Sequence, residues 1–282
     1  MTLGKMKTLS AALLLAAVCG WGASADAQEM YAQPARAELP SGLEIGAEMY
    51  YYKYEEPNFA ELEGLFYGLS TNYTFRNFTI PLMVRGEADL AWGVLDYSSN
   101  GTGTADSNDN FVVEPRLLVG YDLAAWGGTV TPFFGVGYRY LENNMGGTIS
   151  TTGAGGYDRI SQYVYSPVGF EWFMPLQGEW TGVYALEFDI FWDGTQKSEL
   201  SDVAVGLSDL TNDQNDGFGF RSSLRFAGQA LGYSIEIEPF FRYWLVRDSD
   251  VSPIRYQGVA VGYGLEPENQ TFEAGAKILL KY

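Results

Sequence analysis

The sequence contains no histidine, and its only cysteine is Cys19. Without histidine the chain cannot assemble a Ser-His-Asp or Cys-His nucleophilic centre, nor a zinc site built on imidazole. A single cysteine excludes intrachain disulfides, Cys-x-x-Cys redox chemistry and clusters held by several thiolates. Cationic residues are scarce as well: 17 Lys and Arg against 35 Asp and Glu give a formal charge of -18 over 282 residues. Proteins bind phosphate backbones by displacing counterions with Lys and Arg, so nucleic acid is not an expected partner. No stretch approaches the roughly twenty apolar residues of a membrane-crossing helix. The one apolar run, 11–18, is short; Lys5 and Lys7 precede it and Ala23, Ser24 and Ala25 follow it. That layout predicts an export signal over 1–25, followed by a periplasmic segment over 26–41. Val18 ahead of Cys19 fits a lipoprotein acceptor poorly, since that position takes Gly, Ala or Ser.

What the sequence does have is alternation with period two, the mark of strands with two unlike faces. Leu43, Ile45, Ala47, Met49 and Tyr51 alternate with Glu44, Gly46, Glu48 and Tyr50. The pattern recurs over 65–73, 82–92, 113–122, 130–139, 164–172, 184–192, 218–226, 235–243 and 272–282. In each segment one face is apolar and free of charge. The other mixes Gly, Ala and aromatic residues with charges of both signs. A soluble sandwich would instead bury its apolar face and show water a charged one. In a membrane barrel an outward Arg or Lys at the bilayer midplane costs about 2–4 kcal/mol, which explains the segregation. The predicted fold class is all-β: a transmembrane, antiparallel, up-and-down barrel of about ten strands over 42–282.

The connecting segments support this class. Their approximate spans, 53–63, 76–79, 96–110, 124–128, 142–159, 175–179, 193–216, 227–232 and 247–270, alternate long and short. Outer-membrane barrels have short periplasmic turns, longer outer loops and aromatic girdles. Tyr and Trp do gather near the segment ends, as at Tyr50, Tyr97, Trp126, Trp180, Trp192 and Trp244. Proline cannot donate to a strand ladder, so local bulges are expected at Pro167 and Pro239, whereas Pro115 and Pro132 fall near strand ends. Extended residues within 254–265 would add loop strands or alter the count.

The inward faces carry the charges. Arg85, Glu87 and Asp89 lie on the segment next to Glu114 and Arg116. Glu187 and Asp189 adjoin Arg221 and Arg225, which adjoin Glu236 and Glu238. Arg139, Glu171, Arg242, Glu273 and Lys277 complete the expected lumen network. Opposite charges on neighbouring strands support pairing, and buried charges need partners. The set predicts a salt-bridged plug; an ion-conducting constriction is the alternative. About 8 strands leave room only for side chains while 16–18 open a channel, so ten lie near the closed end. Gly46, Gly68, Gly120, Gly135, Gly137 and Gly169 also face inward, and would leave a narrow gap if nothing filled it.

The last residues, Gly275 through Ile278 and Leu280 to the terminal Tyr282, resemble the carboxyl-terminal signal of outer-membrane barrels: a Gly, alternating hydrophobics and a final aromatic. That resemblance implies the barrel-assembly machinery as a partner. Three stretches resemble a family of small, porin-like outer-membrane β-barrels without an assigned activity. They run from Gly169-Phe-Glu171 to Leu176, from Glu187-Phe-Asp189 to Asp202, and from Glu266 to Gly275. The resemblance implies location in the outer membrane of a diderm bacterium, with outer-membrane lipid and lipopolysaccharide as surroundings, and no reaction. Omptin proteases resemble the chain in barrel architecture, but they and the outer-membrane lipid A deacylases rely on a histidine.

Other chemistry finds little support. Glu187 and Asp189 as an acid/base pair would be held ionised by neighbouring arginines. Lys197 and Ser198 are adjacent on a strand and point apart, which argues against a Ser-Lys dyad. Asp106 and Asp109, and likewise Asp213 and Asp216, sit in acidic turns rich in oxygen ligands, though without EF-hand spacing. They are candidate sites for calcium or magnesium, the only cofactors considered; no resident cofactor is expected. The function expected from the sequence is therefore a non-enzymatic envelope protein, structural or forming a narrow pore. The alternative is surface recognition through the loops at 142–159, 193–216 and 247–270.

Overall fold

The computed structural model describes residues 39, 41–77, 79–230 and 232–282. The expected export signal and Cys19 lie outside the described residues, as does the segment 26–41 apart from Leu39 and Ser41. The strands are β1 (Gly42–Glu56), β2 (Ala60–Arg76), β3 (Leu82–Ser99), β4 (Gly103–Tyr121), β5 (Leu123–Ala125), β6 (Gly128–Asn144) and β7 (Arg159–Pro175). They continue with β8 (Thr181–Ser198), β9 (Leu210–Gln214), β10 (Gly217–Ala230), β11 (Tyr233–Val246), β12 (Ser252–Tyr256), β13 (Val259–Gly264) and β14 (Asn269–Lys281). Ten of them close an antiparallel barrel: β8 pairs with β10 across the insertion of β9, and β14 returns to β1. Closure leaves no free edge in the ring.

Register follows the sequence alternation. Ala47 stands opposite Leu69 on one side and Ile278 on the other, and Leu69 stands opposite Leu90. A slip of one residue would turn Glu48, Glu87 and Lys277 to the outside. The outward residues form an apolar belt, with Met49, Leu69, Trp92, Leu117, Phe134, Val136, Phe188 and Ile278 all exposed. On β2 the belt runs from Leu65 to Phe75, close to the roughly 9–11 residues a tilted strand needs to cross hydrocarbon. It ends abruptly. Outward charge starts at Lys53 and Glu63, on adjacent strands, and Lys53 Nζ lies 3.0 Å from Glu61 Oε2. At the end where β1 begins and β14 finishes, Tyr73, Tyr121, Trp126, Tyr233 and Tyr282 are exposed. Such amphipathic rings suit an interface that is apolar on one side and wet on the other.

At the opposite, far end, several segments expected as loops are strand. β1 and β2 meet in a turn at 57–59, and β3 and β4 in one at 100–102. Their upper turns alternate polar residues with buried ones, so they lack the apolar face that marks membrane strands. The 254–265 stretch forms the hairpin β12–β13, a separate two-stranded sheet that does not join the barrel. The ring count stays at ten.

The prolines act differently from the expected bulges. The β6–β7 ladder skips the residues facing Ser166 and Pro167, yet Phe134↔Val168 and Gly137↔Tyr165 keep one register. The β10–β11 ladder likewise skips Glu238 and Pro239 between Phe226↔Ile237 and Ser223↔Phe240. Pro115 lies inside β4 and interrupts β4–β6 in the same way, which corrects its placement near a strand end. A missing N–H removes a rung, while paired rungs on both sides hold the alignment. The β7–β8 register shifts at Val164/Tyr165, two residues before Pro167.

The inward glycines leave no open gap either. A Cβ on Gly137 would run into the ring of Tyr165, and one on Gly46 into the Ile278 carbonyl. At Gly120, Gly135 and Gly169 the space is taken by Met83, Leu118 and Phe133. Gly68 sits against Glu48 and Ala91. These glycines admit neighbouring side chains; they do not widen the lumen. Gly137→Leu is accordingly expected to destabilise the barrel by about 1–3 kcal/mol through overpacking against Tyr165, read as a lower urea midpoint in micelles.

Candidate functional site

The inward faces converge on a lumen filled by ion pairs. Arg85, Glu114, Arg139, Glu171, Glu187, Asp189, Arg221, Arg225, Glu236, Glu238, Arg242, Glu273, Asp89 and Lys277 are all buried, and Glu87 and Arg116 nearly so. Pairings expected between neighbouring strands form between Arg116 and Glu87 (3.4 Å), between Arg221 and both Glu187 (3.3 Å) and Asp189 (2.7 Å), and between Arg225 and both Glu236 (3.4 Å) and Glu238 (3.3 Å). Most of the others cross the lumen. Arg85 makes a bidentate contact with Glu171, at 2.7 and 3.0 Å, from β3 to β7. Arg116 on β4 bonds Glu187 on β8. Arg242 on β11 reaches Asp89 on β3 at 3.0 Å, as well as Glu273 on the adjoining β14 at 3.1 Å.

Glu114 is bonded by three side chains. Arg139 Nη1 donates to it at 3.0 Å, and both Arg221 and the Tyr165 hydroxyl donate to its other oxygen. Arg139 also bonds Glu273, so one guanidinium ties β4, β6 and β14 together. Lys277 Nζ donates to Asp89 at 2.8 Å and to Ser70 Oγ at 3.0 Å. Buried charges persist only when paired in this way. Asp89 faces Glu114 directly in the β3–β4 ladder, a like-charge pair that the crossing Arg242 and Lys277 on one side, and Arg139 and Arg221 on the other, neutralise.

Further members went unassigned from sequence: Glu44, Glu48, Arg76 and Asp122. Glu48 receives Arg242 at 3.3 Å, and Arg76 bonds Asp122 at the end where β1 begins. The alternation already put Glu44, Glu48 and Asp122 on inward faces; Arg76 fell in a segment read as a turn. Toward the far end the lumen is filled by aromatic and aliphatic groups. Tyr50 stacks on Phe66 at 5.2 Å, and Tyr165 meets Trp244 edge-on at 5.0 Å.

The candidate cation ligands are placed apart. Asp106 and Asp109 lie in β4 and Asp213 in β9, with Asp216 just beyond it, and all four are exposed. They belong to strand ends rather than free turns, and alternate with the buried Asn108, Asn110, Asn212 and Gln214. Among the described residues, Asp158, Glu199 and Asp202 are the acids that bring three carboxylate oxygens within 4.8 Å of one another. Their distance in sequence hid them. Beside them Lys197 Nζ donates to Glu199 Oε1 at 2.7 Å, and Ser198 is turned inward and buried. The Glu199 and Asp209 carboxylates hold Lys197 above its ordinary range, so it stays charged and supplies no base to Ser198.

The assembly-signal residues divide between the two faces. Gly275 packs against Met49 and Tyr50, while Ile278, Leu280 and Tyr282 point outward. No protein-family model matches the chain, and no curated protein does. Solved structures do. The outer membrane protease OmpT from Escherichia coli superposes with a TM-score of 0.52 at 9% identity, over 87% of this chain and 100% of that one. The chain has the fold of an outer-membrane β-barrel. Neisserial surface protein A (TM-score 0.33, 12% identity, 86% and 98% covered) and Ail of Yersinia pestis (0.30, 10%, 85% and 99%) are further matches. At these identities the likeness is one of fold.

Proposed function

We propose that this protein is a non-enzymatic barrel of the bacterial outer membrane, closed to solutes, that holds an elaborated far end outside the cell. The orientation places the start of β1 and the end of β14 in the periplasm, where short turns belong. In that setting the belt faces lipid and lipopolysaccharide, and the Gly275–Tyr282 strand is what the assembly machinery reads. One observation carries the closed lumen: the cavity left among Arg85, Glu87, Glu171, Arg221 and their neighbours measures about 80 Å³. That space takes a few waters, not a file of hydrated ions. Each lumenal carboxylate of the predicted network lies within ion-pair distance of an Arg or Lys, which supports the non-enzymatic reading.

Planar-bilayer recording tests this reading. The purified protein is expected to insert without steady conductance; reproducible ohmic steps from the wild-type chain would contradict it. A second reading, recognition by the far end, rests on an exposed apolar surface there. Val205 is 94% exposed and Tyr263 75%, with Val203, Val259 and Val261 also open. Isolated exposed apolar residues are ordinary, but Val203 and Val205 on one loop and Val259, Val261 and Tyr263 on another, joined by a Leu207–Tyr256 bridge, favour an interaction surface.

A further inference from the structure

We propose that the far end contains a binding site for a small organic cation, an ammonium or guanidinium group carried on an apolar body. This deepens the recognition reading and rests on it, while the closed lumen is judged separately by conductance. The site is a cavity of about 350 Å³ framed by the outer ends of β1, β7 and β8 and by the connections around 145–158, 199–209 and 264–268. That volume lies in the range of small-ligand pockets, roughly 300–1,000 Å³, and is far larger than an inorganic ion needs. Tyr97, Met145, Tyr157, Leu200, Leu210 and Leu265 give it largely apolar and aromatic walls. Aromatic faces attract cations as well as apolar groups.

One side of the cavity is charged. Glu56, Arg159 and Glu266 line it, each buried. Arg159 Nη2 lies 2.9 Å from Glu56 Oε1, 3.0 Å from the Tyr54 hydroxyl, and bonds Glu266 Oε1 as well. Tyr54 Oη lies 2.9 Å from Glu56 Oε1 and 2.8 Å from Glu266 Oε1. A hydroxyl has one hydrogen, so Tyr54 can donate to only one of these carboxylates at a time. One guanidinium likewise balances only one of the two negative charges. Among the described residues no second Lys or Arg pairs with either acid. A buried, uncompensated carboxylate is costly, so the cluster requires one more positive charge. In the empty site a proton supplies it. In the filled site the ligand's cationic head supplies it and the proton leaves. Arg159 Nε, buried without a hydrogen-bond partner, is available to an acceptor atom beside that head.

Protonation then sets the pH dependence. The groups facing Glu266 are Tyr54 and Glu56 from β1, and Tyr157 and Arg159 from β7 and the segment before it, with Tyr97 of β3 across the cavity. Burial is the largest influence and pushes the Glu266 carboxyl above its ordinary range; Arg159 pulls it down and Glu56 pushes it up again. A cation that replaces this proton binds more tightly as pH rises.

The test uses the full chain folded in detergent micelles and isothermal titration with phenethylamine and phenethylguanidine. At least one is expected to bind saturably, one per chain, at pH 8, and at least tenfold more weakly at pH 5. Glu266→Gln is expected to weaken binding at least tenfold at pH 8 and to flatten the pH dependence. Should that variant not fold, Ala154→Trp, which fills the cavity from a loop, is expected to abolish binding while the barrel keeps its heat-modifiable migration on gels. Absence of saturable binding by both probes would overturn the proposal. So would equal affinity for neutral 2-phenylethanol, or displacement of the amine by equimolar calcium.

Discussion

Arg139→Met is expected to lower the unfolding free energy of the barrel by about 3–5 kcal/mol, the cost of removing one partner from a buried ionic network. Arg139 is 1% exposed and neutralises Glu114 and Glu273 at once. Without it Glu114 keeps Arg221 and the Tyr165 hydroxyl, and Glu273 keeps Arg242. Neither acid can turn to water to recover the loss, because Glu114 is 1% exposed and Glu273 0%. The thioether of Met fills part of the volume, so the loss is electrostatic more than steric. The contrast is Arg247→Met. Arg247 pairs with Glu268 at the exposed far end, where water screens the pair, so its loss is expected to leave the urea midpoint almost unmoved. Urea titration of both variants in the same micelles checks the pair. A loss below about 1 kcal/mol for Arg139→Met would mean that water reaches the network.

Leu69→Arg tests the other face. Leu69 stands mid-way along the belt segment of β2, 54% exposed, between Ala47 and Leu90 on the flanking strands. In lipid vesicles the guanidinium there is expected to cost about 2–4 kcal/mol. Phe59, 61% exposed in the turn beyond the belt, serves as the control, and Phe59→Arg is expected to shift stability by less than about 0.5 kcal/mol. Were the belt wetted, the two substitutions would behave alike.

The parts of the molecule that could be read from the sequence are those where two unlike solvents act on adjacent residues. Along 43–51 and 65–73, hydrocarbon on one side and ion pairs on the other impose a period of two that needs no homologue to see. The far-end extensions of β1 to β4 were harder. Above the belt the outward face meets water while buried aromatic and aliphatic side chains such as Tyr54, Leu62 and Leu95 fill the inside, so the apolar-outside pattern stops and Glu55, Glu61, Ser98 and Thr104 read as loop although they are ladder residues. Which charges share the lumen was legible, but most of their partners were not. Strand adjacency puts Arg221 opposite Glu187, and Arg221 also bonds Glu114, which lies across the barrel. Such contacts depend on barrel diameter and side-chain reach, neither of which is a property of one segment. The same limit hid the Glu56–Arg159–Glu266 cluster, whose members are separated by most of the chain. The prolines were misread because a lost rung was expected to displace the strand. The rungs on both sides keep Pro239 in line with β10 and Pro167 in line with β6, and the shift near Pro167, at Val164/Tyr165, falls on the β7–β8 side.

A nitroxide scan along 65–75 of β2 tests most directly whether hydrocarbon surrounds the barrel while charge stays inside. The account predicts oxygen accessibility that peaks at 65, 67, 69, 71, 73 and 75, with low access to a water-soluble nickel chelate at those sites and low access to both at the intervening ones. High nickel accessibility at 69, or oxygen maxima at 66, 68 and 70, would contradict it.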